Sequence, residues 1–164
     1  TGSGVLAIYL KENFPKNNVF AVDISDKSLI IAKKNAETHK ADICFINDNM
    51  VDYFLNNNIK LDVLISNPPY IEDESTIDKN VFDFEPHLAL LAKPCTKFYE
   101  IIIKAIPLIM NDKFLVAFEI GENMEDKLSQ IIETNLPDVG YIFAKDIYNK
   151  TRFLYIIGNG KIEA

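Results

Sequence analysis

The residues of this chain best suited to chemistry are Asn67, Pro68 and Tyr70, within the run Ser66-Asn67-Pro68-Pro69-Tyr70. A planar amide or arylamine nitrogen is a poor nucleophile because its lone pair is delocalised. An enzyme acting on it must accept both N–H protons and turn the lone pair towards an electrophile. The Asn67 side-chain carbonyl and the Pro68 main-chain carbonyl can accept those two hydrogen bonds, while Tyr70 can stack on the flat group they hold. If the electrophile is a sulfonium methyl, the methylated nitrogen is acidic and gives its proton to water. No strong base is then required, and catalysis rests on orientation and fixed dipoles. Asn-Pro and Pro-Pro are also ordinary loop punctuation, so the run has to be judged by its surroundings.

Those surroundings begin with Leu61-Asp62-Val63-Leu64-Ile65, an apolar run that reads as a strand buried on both faces. Two prolines cannot continue a sheet ladder, so the strand stops near Ser66, and the proline after Asn67 forces that residue into an extended conformation. In an open parallel α/β sheet such a corner lies outside the carboxyl ends of the strands, where ligands bind.

A second cluster opens the chain. Thr1-Gly2-Ser3-Gly4 leads into an apolar helical segment from Val5 to about Phe14, and Val19 to Val22 reads as a buried strand ending at Asp23. Glycines let the backbone approach a ligand, and the helix start offers free N–H groups. An acidic residue about twenty positions after such glycines is spaced to accept hydrogen bonds from both ribose hydroxyls of an adenosine cofactor. Ser25 or Asp26 can cap a helix ending near His39, with Leu29, Ile30, Ala32 and Ala36 inward. Asp42 to Ile46 reads as a third strand, and Asn47-Asp48-Asn49-Met50 as a polar turn placed to meet an adenine edge.

Downstream, Tyr53 to Asn58 is a short helix or loop. The span 71–86 is acidic and irregular, in the position of a substrate lid. A helix from Phe98 to Met110 should be kinked or shortened by Pro107. Phe114 to Glu119 is a strand, Met124 to Asn135 an amphipathic helix, and Tyr141 to Ile147 with Arg152 to Ile157 an antiparallel hairpin. Strands alternating with helices, closed by a hairpin, predict an α/β sheet.

Composition narrows the class. The 164 residues are 48% hydrophobic and 25% charged, enough for one domain with a core, and the expectation is a single domain over 1–164. With 17 basic and 24 acidic residues the net charge is −7, which argues against affinity won by neutralising phosphates. Cys44 and Cys95 have no ligand spacing and read as free, buried thiols in a reducing cytoplasm. His39 and His87 read as surface or satisfied residues, and no cluster has metal-ligand spacing. Neither a signal peptide nor a membrane span is evident. The chain starts at Thr1, inside the glycine loop, and a removed upstream segment is expected.

Taken together, Thr1-Gly2-Ser3-Gly4, Ala21-Val22-Asp23-Ile24-Ser25, Ser66-Asn67-Pro68-Pro69-Tyr70-Ile71, Phe84-Glu85-Pro86 with Leu88-Ala89-Leu90, Glu119-Ile120-Gly121 and Asp146 to Arg152 resemble the class I methyltransferases that use S-adenosylmethionine. Within these they are similar to the HemK/PrmC glutamine methyltransferases, over nearly the whole chain. The resemblance implies a Rossmann-like sheet, mostly parallel with a C-terminal antiparallel hairpin, whose first strand is missing from this chain. It implies S-adenosylmethionine as cofactor, S-adenosylhomocysteine as product, and methylation of the glutamine in the Gly-Gly-Gln loop of peptide-chain release factors in the cytoplasm. Gly2 and Gly4 would hold the methionine part, Asp23 the ribose, and Asp48 would lie by the adenine. Thr1, Ile24, Asn49 and Asn67 complete the cofactor set. Asn67 and Pro68 would bind the glutamine amide, with Pro69, Tyr70 and Glu85 on the substrate side and Glu85 closing the loop. No direct nucleic-acid or membrane binding is expected.

The family's glycine-rich segment after Glu-Pro is replaced by Leu91-Ala92-Lys93-Pro94-Cys95, and a hairpin glycine by Asn149, which tolerates a left-handed backbone. Loss of the first strand should weaken cofactor binding and expose strand edges, inviting self-association. Other readings are an adenine or cytosine amino-methyltransferase acting on nucleic acid, with a basic groove and a flipped base, and a non-catalytic cofactor-binding fragment.

Overall fold

The computed structural model describes residues 1–73, 75 and 90–159. The chain divides into two compact units, Thr1–Asn58 and Ile59–Ala164.

The first unit contains α1 (Val5–Asn13), β1 (Phe20–Asp23), α2 (Asp26–His39), β2 (Cys44–Asn47) and α3 (Asp52–Asn56). β1 and β2 run parallel, from Phe20 opposite Cys44 to Asp23 opposite Asn47. Parallel strands need a long crossover, and α2 supplies it. Of the two candidate caps it is Ser25 that serves, its Oγ accepting from the Ser28 N–H at 3.2 Å. Leu29, Ala32 and Ala36 are buried, whereas Ile30, expected beside them, is 67% exposed. A helical residue lies about 100° round from its neighbour, so Ile30 cannot share the stripe set by Leu29, Ala32 and Ala36. Cys44 is exposed, against the expectation of two buried thiols, because it opens β2 on the uncovered side of that strand. Phe20 meets Phe54 edge-on at 5.7 Å and ties α3 to β1.

The second unit contains β3 (Leu61–Ser66), α4 (Lys97–Ile109), β4 (Met110–Glu119), α5 (Glu125–Asn135), β5 (Gly140–Lys145) and β6 (Thr151–Asn159). Its strand order is β3-β4-β6-β5. β3 and β4 are parallel, and β6 is antiparallel to both β4 and β5, so the sheet is mixed and ends in the expected hairpin. Tyr99, Ile103 and Ile106 of α4, Phe118 of β4, Leu128 and Ile132 of α5, and Leu154 and Ile156 of β6 are fully buried between helices and sheet. Each such side chain contributes about 1.5–3 kcal/mol by leaving water.

Pro107 sits in the last turn of α4, which stops at Ile109. Met110, expected to close the helix, is already extended and opens β4 four residues before the anticipated start at Phe114. β3 departs from the sequence reading too, since Val63 and Ile65 are 48% and 40% exposed. They alternate onto one face of an edge strand, whose partner among the described residues is β4 alone, and that face lacks cover. The register that matters sets Ser66 opposite Phe118, so Asn67 and Glu119 leave neighbouring strand ends side by side.

Candidate active site

In the first unit the glycine loop is folded back onto Asp23. The Thr1 nitrogen donates to Val22 O and to Asp23 Oδ2, both at 2.9 Å, and the Gly2 N–H reaches the same Oδ2 at 2.8 Å. Asp23 Oδ1 takes the Ser25 N–H at 2.9 Å. Burial pushes the Asp23 carboxyl up, but the hydrogen bonds from the nitrogens of Thr1, Ser25 and Gly2 outweigh it and hold the group below the usual aspartate range. Gly4, at φ 82°, must be glycine twice over, because a β-carbon there would also stand 3.0 Å from that of Ala32. Asn35 of α2 donates to Ser3 O at 2.9 Å and fixes the loop's other end.

The turn after β2 joins this cluster. The Asp48 N–H donates to Asp23 O at 3.3 Å, and the Asn49 N–H to Asp48 Oδ1 at 2.7 Å. Asn47 Nδ2 bridges to the carbonyls of Asp23 and Ile24, both at 3.2 Å. Ile24 is 65% exposed and offers apolar surface beside these polar groups. Thr1, Gly2, Gly4, Asp23, Ile24, Asp48 and Asn49 therefore converge at the carboxyl ends of β1 and β2.

An adenosyl group suits this set in three respects. Space over Gly2 is open, with nothing within 4 Å of where a β-carbon would stand. Ile24 supplies an apolar face. A carboxylate has about four acceptor positions and Asp23 uses three, which leaves one for a ribose hydroxyl, where two bonds were expected.

In the second unit the proline corner follows directly on β3. Asn67 is exposed, Pro68 buried, and Pro69 and Tyr70 half-buried. Among the described residues, neither the Asn67 side-chain amide nor the Pro68 carbonyl has a hydrogen-bond partner. Next to the corner, the buried Tyr99 hydroxyl donates to Glu119 O at 2.8 Å and pins the end of β4. Burial pushes the Tyr70 phenol up, the nearby Glu119 charge adds to that, Arg152 opposes it, and Glu122 adds again. Tyr70 is therefore protonated at neutral pH.

The chain beyond Tyr70 is anchored before it departs. The Ile71 N–H donates to Leu90 O at 3.1 Å and the Ala92 N–H to Ile71 O at 2.9 Å. Glu72 Oε1 accepts from the Cys95 N–H at 2.6 Å. In the segment that stands in place of the expected glycines, Ala92 and Cys95 are buried while Lys93 and Pro94 are exposed, and Leu90 just before it is buried too. Glu85 and His87 lie outside the described residues.

The hairpin turn is equally well defined. Asp146 Oδ1 accepts from the N–H groups of Tyr148 and Lys150 at 2.8 and 3.0 Å, and Asn149 has the left-handed φ of 63° that its replacement of glycine requires. Glu122 pairs with Lys150 and Arg152 at 2.5 and 3.0 Å.

Sequence reasoning overlooked Asn35 and Glu122, and gave Asn47 and Glu72 only places in a polar turn and an acidic stretch, because their partners are remote in sequence. His39 pairs with Glu12 at 2.9 Å on the surface. Among the described residues no group of side chains could hold a metal ion, and no helix is long and apolar enough to cross a membrane.

The methyltransferase small domain family model matches residues 1–84. The release factor glutamine methyltransferase of Staphylococcus aureus is 42% identical over 157 residues, covering 94% of this chain and 56% of that protein. The enzyme of the same name from Mycoplasma mycoides subsp. mycoides is 39% identical over 161 residues, covering 95% and 57%. The chain thus spans little more than half the length of these relatives. Among solved structures it is similar to the ribosomal protein L11 methylase of Lactobacillus delbrueckii subsp. bulgaricus, with a TM-score of 0.67 at 20% identity over 96% of this chain and 65% of that one. That likeness carries the α/β methyltransferase fold alone.

Proposed function

The chain belongs to the methyltransferase small domain family, and on that premise we propose that it transfers a methyl group from S-adenosylmethionine to a glutamine side-chain amide of a peptide-chain release factor. The names of the relatives support the substrate. The observation that carries the chemistry is the corner after β3, where an exposed Asn67 amide and the Pro68 carbonyl stand without partners among the described residues. Residues 1–164 serve one catalytic domain in this reading, acting in the cytoplasm.

S-adenosylmethionine, when bound, supplies an electrophilic methyl on a cationic sulfur. The chain does the rest by placement. Gly2 and Gly4, with Thr1, keep the loop backbone open to the methionine part, Asp23 offers its remaining acceptor position to the ribose, and Ile24, Asp48 and Asn49 border the adenine. Asn67 Oδ1 and Pro68 O accept hydrogen bonds from the two amide N–H groups of the glutamine, which turns the face of its nitrogen towards the methyl. The nitrogen–methyl bond forms as the sulfur–methyl bond breaks, and the proton then lost from nitrogen goes to water. Pro69 stiffens the corner and Tyr70 lines it.

The reading is tested by offering release factor and duplex DNA together, with methyl-labelled S-adenosylmethionine, to the full natural protein. Label should enter the release factor and vanish when its loop glutamine is changed to alanine or when Asn67→Ala is made. Label in the DNA would instead establish a nucleic-acid enzyme, against the charge of −7.

A further inference from the structure

Gly121 ends the run Glu119-Ile120-Gly121 just beyond β4. A glycine is required either for a left-handed backbone or for room. Gly121 does not have the positive φ of Gly2 and Gly4, so conformation does not explain it. Room does. A β-carbon at Gly121 would stand 2.8 Å from Tyr70 Cδ2 and 3.3 Å from Cε2, with Met124 Sδ at 3.1 Å. The surface under the ring is held firmly: Met124 is 3% exposed, Ile120 is fully buried, and the Ile120 N–H donates to Arg152 O at 2.9 Å. An added methyl group therefore displaces the ring rather than the backbone beneath it.

We infer that Gly121 is a positioning residue for the amide pocket, its missing side chain setting where the Tyr70 ring lies beside Asn67 and Pro68. The inference rests on the glutamine reading for its functional consequence and on the 2.8 Å approach for its geometry. The same approach accounts for the chain order of the elements. Tyr70 follows β3 and Gly121 follows β4, and these strands are parallel neighbours whose ends lie level at Ser66 and Phe118. The ring of one strand end is seated on the bare backbone of the next.

The test is a double-mutant cycle in the full natural protein, with kcat and KM measured for release factor. Gly121→Ala should lower kcat/KM roughly a hundredfold, the scale of an ångström-sized misplacement, while affinity for S-adenosylhomocysteine by calorimetry is unchanged. Made on top of Tyr70→Ala, the same change should cost no more than about twofold. On top of Tyr70→Phe, which keeps the ring, the full loss should return. An equal loss in all three backgrounds would overturn the inference, as would a fall in unfolding midpoint that Tyr70→Ala does not relieve.

A second readout needs no activity. With 13C-labelled tyrosine, the Tyr70 ring signals should shift in Gly121→Ala while those of Tyr9, Tyr141 and Tyr148 stay in place. Unmoved Tyr70 signals overturn the inference. If the unaltered protein methylates no release factor, it is the functional proposal that fails, and the ring signals still decide the role of Gly121.

Discussion

Asn67 and Asp23 show how one polar residue differs from another once its partners are counted. The Asn67 amide is exposed, with no partner among the described residues, while the prolines after it order the backbone that carries it, so its acceptor is open to a ligand. Removing it in Asn67→Ala should cost roughly a hundredfold in kcat, the scale of one lost preorganised hydrogen bond, with binding of S-adenosylmethionine and the substrate checked separately by calorimetry. Asp23 is the reverse case, its carboxylate already holding the glycine loop. Because its folded carboxyl lies below the unfolded one, the stability it adds is complete above the ordinary aspartate range. That contribution is lost as pH falls through the range towards the folded value. In urea unfolding, Asp23→Asn should therefore be less stable than the natural chain at neutral pH, and the gap should narrow towards about pH 3. A gap independent of pH would show that the carboxylate charge is not what ties the loop.

At the scale of elements, the neck formed by Ile71, Glu72, Leu90, Ala92 and Cys95 follows directly on the proline corner and is closed by its own hydrogen bonds. Hydrogen bonds from Cys95 hold the Glu72 carboxyl below its usual range. Burial pushes the Cys95 thiol up, and Glu72 adds to that, against the opposing Lys127. Alkylation followed by mass spectrometry should mark the exposed Cys44 first and Cys95 only slowly. Glu72→Ala should speed the labelling of Cys95 and leave Cys44 as it was. Equal rates at the two thiols would mean the neck is open in solution. Most elements here were legible in the sequence, because α2 and the strands carry their own periodicity and the prolines and glycines mark their ends. The neck was not, since Glu72 and Cys95 are joined only through the fold and an acidic stretch reads as solvated loop. Ile30 and Met110 were misplaced for a similar reason: apolar character alone does not say which side of a helix is covered or where a helix yields to a strand.

For the molecule as a whole, the edge strand β3 is the feature with the widest reach. Val63 and Ile65 put apolar side chains on its exposed face, and an uncovered edge invites pairing with another chain. Residues 1–164 alone are predicted to self-associate in sedimentation velocity runs, and Val63→Lys should restore the monomer. A monomer at every concentration without that change would show the edge to be protected. The residues proposed for the candidate site stand out by type, because the prolines after Asn67 and the glycines after Thr1 carry their own backbone chemistry. What was not readable was occupancy: that Asp23 is mostly committed to its own loop, and that Gly121 is bare for the sake of a ring.

The neck has a consequence for how such a protein can change over time. Since Ile71 and Leu91 are bridged directly, the fold already holds the two ends of the chain between them together. Doubling the length of a loop whose ends are held in this way costs only about 0.6 kcal/mol in closure. Changes of length between the two bridge partners are therefore expected to leave the sheet and its proline corner in place.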